Sequence, residues 1–180
     1  RLRFYLLAKR RSLGEEPCPS GPPTVQPRPV SHFLEEVENL QRRHALRVPA
    51  EVLQRASDEG WSLDLAVSTS IATKTFTGSY GKKRYGTEGL SMAGPLLLDA
   101  PVAMRRRRFT FPRPAEWKHV RYFAPKEVAN LMGFPVDWFL PGHLDCRTQW
   151  RLVGNSINVA VVTSLLRRLL KWIGYDASDH

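Results

Sequence analysis

"RYFAPKEVANLMGFP", residues 121 to 135, decides the fold class, because the start and stop signals of a short helix all fall within it. Pro125 suits the first helical position, where its missing N–H is no loss, and Glu127 follows Ala124 by three residues. Val128, Leu131 and Met132 form the apolar stripe. Gly133 is placed to end the helix in the left-handed conformation, and Pro135 prevents resumption. Ala124 is an odd cap, since it lacks the oxygen that Ser or Thr would offer a backbone N–H, a deficit of about 1 kcal/mol.

C-terminal to this, "RLVGNSINVAVVTSLLRRLL" at 151 to 170 places a small polar turn ahead of an apolar run. The run predicts a mostly buried helix from about Ile157 to Ile173, with Arg167, Arg168 and Lys171 complementing its C-terminal dipole and Gly174 ending it. Asn155 and Ser156 are capping types suited to its start, and Gly154 permits close approach by another group. On these residues alone, a cap is the simplest reading.

N-terminal to the first stretch, the pattern is less regular. Arg1 to Ala8 reads as a strand with Arg1 and Arg3 on one face. Six prolines (Pro17, Pro19, Pro22, Pro23, Pro27 and Pro29) mark an extended linker. From Ser31 the spacing of Phe33, Leu34, Val37 and Leu40 is helical, and Pro49 suits the first turn of a short helix through Ala56. Asp58-Glu59-Gly60 reads as a turn, and Leu63, Leu65 and Val67 alternate as a strand does. Residues 75 to 94 are glycine-rich and basic, which predicts loop. Arg105 to Arg108 are either a solvated charge run or a phosphate-facing edge.

The 180 residues carry 27 Lys plus Arg against 17 Asp plus Glu, a net +10 that suits a polyanionic partner without requiring one. Cys18 and Cys146 have no disulfide-framework spacing, which implies free thiols in a reducing compartment, the cytoplasm first and the nucleus second. No apolar run is long enough for a membrane span. The start on Arg1, inside a strand-like segment, implies a fragment.

The ordered pair of stretches resembles the last two sequence motifs of cytosine-C5 methyltransferases. The wording is most similar to the tRNA (cytosine(38)-C(5))-methyltransferase branch, which is DNA-methyltransferase-like and acts on an anticodon-loop cytosine. The matching positions are Arg121 to Glu127, Met132 to Pro135, and Gly154 to Val159. Arg1-Leu2-Arg3 resembles the family's Arg-x-Arg strand. Thr75-Phe76-Thr77 with Tyr80-Gly81 resembles that branch's Cys-Phe-Thr segment, with Thr75 where the branch has Cys.

The resemblance implies an α/β fold: the C-terminal portion of an S-adenosylmethionine-dependent methyltransferase (Rossmann-like) fold with a mixed target-recognition domain. Residues 1–11 would be a catalytic-domain strand, 12–30 linker, 31–118 target recognition, 119–174 the last two motifs, and 175–180 a tail. Asn155 and Ser156 would approach the S-adenosylmethionine cofactor. Arg3, with Arg1 beside it, would steady cytosine O2 as charge develops in the ring. Phe76, Thr77, Tyr80, Lys82, Lys83 and Arg84 would bind RNA, the cations through phosphates and the Tyr80 and Tyr85 rings by stacking on unpaired bases. No metal is implied.

The family's nucleophile is a Cys after Pro, upstream of the Arg-x-Arg strand. Pro17-Cys18 lies downstream of it, so Cys18 is excluded by motif order, and Cys146 is no better placed. The partners implied are tRNA and the N-terminal half of the same catalytic domain. Without that half the chain is expected not to turn over. The alternatives are a DNA cytosine-C5 methyltransferase fragment and a non-catalytic nucleic-acid-binding remnant.

Overall fold

The computed structural model describes residues 27–35, 45–61, 63–86, 89–92, 94–99 and 111–173. A 3-10 turn, Val30–Phe33, comes first, followed by α1 (Ala50–Asp58) and the two-residue strand β1 (Leu65–Ala66). Strands β2 (Lys83–Gly86) and β3 (Gly89–Met92) form an antiparallel pair of which only the backbone is described. Then come β4 (Leu96–Leu98), a 3-10 segment Pro114–His119, and β5 (Val120–Arg121). Three helices follow: α2 (Pro125–Leu131), α3 (Cys146–Asn155) and α4 (Val159–Trp172).

The central sheet has the order β1-β4-β5, with β1 parallel and β5 antiparallel to β4. Both of its faces are covered. Leu65, Leu96, Leu98 and Val120 pack with Leu53, Ala56 and Trp61 on one side. Ala66 and Leu97, one residue out of phase, point to the other side and join Phe76, Tyr80, Phe123, Val128 and Val153. This explains why β1 and β4 are buried at every position rather than alternately, as the 63–67 pattern suggests.

The helix expected after Pro125 is present. Gly133 has φ 79° and follows its last turn. A side chain on Gly133 would also meet the Ala160 backbone N at 2.8 Å, so the left-handed residue lets α2 and α4 approach. The expected helix behind Pro49 runs two residues further than Ala56, and Gly60 makes the expected turn with φ 67°.

Three expectations change. Residues 83–86 and 89–92, assigned to loop, pair as strands, because Lys83, Arg84 and Tyr85 find backbone partners in Met92, Ser91 and Leu90. The Gly-Asn-Ser turn does not open the last helix. Gly154 and Asn155 end α3, and Asn158 caps α4 by accepting from the Val161 N–H at 3.0 Å. Nor is α4 mostly buried: it has no buried residue, and Leu166 is 50% exposed. Among the described residues no helix is long and apolar enough to cross a membrane. Arg1, Arg3, Cys18, Val37, Leu40, Gly174 and Arg105 to Arg108 lie outside the described residues.

Candidate functional site: a turn clamped by a six-residue loop

The Gly154-Asn155-Ser156 turn takes its place from α3. That helix starts at Asp145, whose carboxylate accepts from the Thr148 N–H at 2.7 Å and is held below its usual range by that bond. Five residues later Trp150 donates its indole N–H to the Phe123 carbonyl at 2.9 Å, fixing α3 to the entry of α2.

Against the end of α3 lies the loop Phe76-Thr77-Gly78-Ser79-Tyr80-Gly81. A Cβ on Gly154 would stand 2.3 Å from the Thr77 carbonyl oxygen, and one on Gly78 would fall on the Asn155 side chain. At Gly81, with φ 75°, it would strike the Trp150 ring at 2.9 Å. The close approach expected at Gly154 is therefore real, and the approaching group is the Thr77 backbone.

Of the two residues assigned to the cofactor, Asn155 is exposed beside Gly78 and Ser156 is half-buried. The Ser156 hydroxyl donates to the Val153 carbonyl at 2.6 Å and lies 3.9 Å from the Met132 sulfur. Its proton is thus committed, so toward a ligand its oxygen acts as an acceptor.

The RNA-facing set divides. Lys82 is exposed, Thr77 is half-buried, and Lys83, Arg84 and Tyr85 are on β2 with their side chains outside the described residues. Phe76 and Tyr80 are placed differently from expectation. Both rings are buried, at 6% and 2% exposure, and meet each other edge to face at 5.1 Å. The Tyr80 hydroxyl donates to the Pro95 carbonyl at 2.7 Å and accepts from the Phe123 N–H at 2.9 Å. A ring so enclosed offers no face to a nucleic-acid base, so neither aromatic stacks on RNA in this fold. Tyr80 gives up its place at the surface because two buried backbone groups need its oxygen.

Burial pushes Tyr122 up to about 12 and Tyr80 well above the usual phenol range. A raised folded-state value means stability that is whole below the unfolded phenol value of about 10 and is lost as pH rises through the folded one. Tyrosinate absorbance from Tyr122 should therefore be delayed toward about pH 12 unless the protein unfolds first, and Tyr80 should stay protonated well above the usual phenol range while the fold persists. Titration of all tyrosines near 10 with the fold intact would count against the burial.

Sequence reasoning missed the charged centre that aligns α2. Arg121, 4% exposed, makes a bidentate pair with Glu127, 2% exposed, through N–O distances of 2.8 and 2.9 Å. Its Nε donates to Asp99 at 3.1 Å. Burial pulls the guanidinium's pKa down, but Glu127 and then Asp99 more than offset this, so the net shift is upward. Glu127 also accepts from the Ala124 N–H at 2.7 Å. That bond supplies half of a capping box and explains why Ala is tolerated at the cap. Lys126, likewise unassigned from sequence, donates to the carbonyls of Val136, at 2.7 Å, and Trp138, folding residues 136–138 back over α2.

Cys146 stands in the first turn of α3. Cys146 is exposed as a residue, yet desolvation by the surrounding fold and the neighbouring Asp145 carboxylate push its thiol up to about 11, so it is protonated at neutral pH, where a nucleophile would be thiolate. Among the described residues no cluster of His, Cys, Asp and Glu could hold a metal.

Comparison with known proteins adds a family match. The model of the C-5 cytosine-specific DNA methylase family matches residues 35–171. The tRNA (cytosine(38)-C(5))-methyltransferase of Spodoptera frugiperda is 28% identical over 95% of this chain and 53% of its own length. A Dictyostelium discoideum DNA (cytosine-5)-methyltransferase is 43% identical over 78% of this chain and 34% of its own. Among solved structures, the Schizosaccharomyces pombe Dnmt2 methyltransferase superposes with a TM-score of 0.63 at 27% identity, over 82% of this chain and 43% of that one. The chain spans about half the length of these relatives, or less.

Proposed function

Since the chain belongs to the C-5 cytosine-specific DNA methylase family, we propose that it is the recognition-bearing, C-terminal portion of a tRNA cytosine-C5 methyltransferase. The observation that carries this reading is the clamp. The segment Phe76 to Gly81, which resembles the tRNA branch's signature, is packed onto the turn that resembles the family's cofactor motif. Target side and cofactor side thereby form one unit, which methyl transfer requires.

In this reading residues 31–118 recognise the target and 119–174 return to the catalytic domain. S-adenosylmethionine, when bound, supplies the electrophilic methyl group. An amide and an acceptor hydroxyl at a firmly held turn are group types that fit its amino-acid end, and Asn155 and Ser156 present them. The family chemistry activates the target ring by thiolate addition at C6, after the base has been flipped from its stack. Neither Cys18 nor Cys146 follows the family's motif order for that thiolate, so the N-terminal half of the catalytic domain is the partner that completes the reaction. Arg3, with Arg1 beside it, is assigned to cytosine O2, where a fixed charge and forked donor suit developing negative charge. The protein would act where its tRNA is found, in the cytoplasm or the nucleus.

RNA is favoured over DNA by the Phe-Thr wording and by the tRNA-methyltransferase relative that aligns along almost the whole chain. With Phe76 and Tyr80 buried, the phosphate contacts of Lys82, Lys83 and Arg84 carry the larger part of recognition, and Tyr85 is left as the stacking ring. Replacing all three by Ala should weaken binding of an anticodon stem-loop and lower the log–log salt slope by about 2 to 3, from roughly 0.7 to 0.9 per lost phosphate contact. Titration against a duplex DNA of equal charge at two salt concentrations decides between the nucleic acids. A duplex bound as tightly as the stem-loop would overturn the RNA assignment, and an unchanged slope would remove the phosphate contacts.

A further inference from the structure

Tyr80 sits where three parts of the chain that are distant in sequence meet. Its hydroxyl bonds join the residue before β4 to the residue that leads into α2, across 15 and 43 positions of sequence. Its ring meets Trp150 of α3 edge to face at 5.2 Å, and Trp150 in turn donates to the carbonyl of Phe123. The backbone of Phe123 is thus held on both sides of its Cα, its N–H by Tyr80 and its carbonyl by Trp150. The same loop presses Thr77 on Gly154 and Gly78 on Asn155, and three residues beyond Tyr80 begins the strand that carries Lys83 and Arg84.

We propose that Tyr80 is a positioning residue: its doubly bonded phenol holds the loop 76–81 in register with the Gly154–Ser156 turn. A shift of the β2–β3 pair is thereby transmitted to that turn. Tyr80 touches no substrate in this arrangement. It acts through Thr77, Gly78 and Trp150, and the conversion of a shift at the basic strand into a change at the cofactor turn rests on the function proposed above. The sequence signal that suggested a stacking ring, a tyrosine beside lysines, instead marks a buried tie between the start of the basic strand and the turn.

Tyr80→Phe tests this, because it removes one oxygen and keeps the ring packing. Amide hydrogen exchange in the 180-residue chain is the readout, with Leu53→Ala as the comparison, since Leu53 lies in the other core cluster. Tyr80→Phe should speed exchange at Phe123, Asn155 and Ser156 about tenfold or more, as loss of buried hydrogen bonds implies, and should leave the α1 amides within about twofold. Leu53→Ala should do the reverse. Acceleration confined to Phe123, with Asn155 and Ser156 at the wild-type rate, would overturn the proposal. So would a Leu53→Ala protein, matched in overall stability, that loosens Asn155 and Ser156 equally. Binding of the anticodon stem-loop is measured separately on the same proteins. Its absence in the wild type would remove the functional reading, while the exchange pattern would still decide whether Tyr80 ties the loop to the turn.

Discussion

Replacing Glu127 by Ala should cost about 3–5 kcal/mol, the usual penalty for leaving a buried charge without its partner. The expectation follows from what Glu127 holds. Arg121 is almost wholly buried, and two of its three bonds to carboxylates go to this one group. The third partner, Asp99, has a side chain 27% exposed and cannot take over a bidentate contact made on the far side of the guanidinium. The Ala124 N–H would lose its acceptor as well, which adds a helix-start defect to the unpaired charge. Against a total stability of about 5–15 kcal/mol for an ordinary domain, that loss removes a large share of the margin. Urea unfolding of the variant is the measurement. Glu127→Gln should lose less, because its amide oxygen still accepts from Ala124 or Arg121. A Glu127→Ala protein within about 1 kcal/mol of wild type would show that the pair is not holding α2 in place.

How much of this was legible in the sequence depends on how local each signal is. The α2 helix could be read from Pro125, Glu127 and Gly133 because start, capping acid and stop fall within nine residues and each acts through its own backbone. Gly60 and Pro49 were legible for the same reason. The α3 helix was not, since its cap, Asp145, sits in a polar stretch and its last turn contains a glycine that normally ends helices. Gly154 stays helical because its missing side chain is filled by the Thr77 carbonyl, a neighbour 77 positions away in sequence. Tyr80 failed in the opposite sense. An aromatic ring among lysines carries the local signature of a nucleic-acid surface, while the backbone groups that draw it inside belong to Pro95 and Phe123. The Arg121–Glu127 pair was hidden by its family wording, because a motif read as a label gives no reason for its charges. The family resemblance covered what local physics could not, placing Gly154 and Phe76 in one machine before any geometry joined them.

Gly154→Ala should destabilise the protein by about 2 kcal/mol, even though alanine is the better helix former. Two effects oppose each other. Gly154 has no left-handed backbone to protect and sits within α3, so added helix propensity is worth about 1 kcal/mol in favour of Ala. Against this, the new methyl group would lie 2.3 Å from the Thr77 oxygen and 2.4 Å from its carbonyl carbon. Both are backbone atoms that cannot rotate away, unlike the flexible side chain met at Gly78. Overpacking typically costs about 1–3 kcal/mol, and a backbone-to-backbone clash belongs at the top of that range, about 3. The steric term therefore wins, and relief requires the loop 76–81 to move off the end of α3. Gly142→Ala is the control, since nothing stands within 4 Å of a Cβ there, and it should change stability by no more than about 0.5 kcal/mol. Thermal or urea unfolding of the two variants reads the difference, and amide exchange at Asn155 and Ser156 reads the opening. A Gly154→Ala protein as stable as wild type would mean that the loop is not pressed against the turn, and the clamp would lose its principal contact.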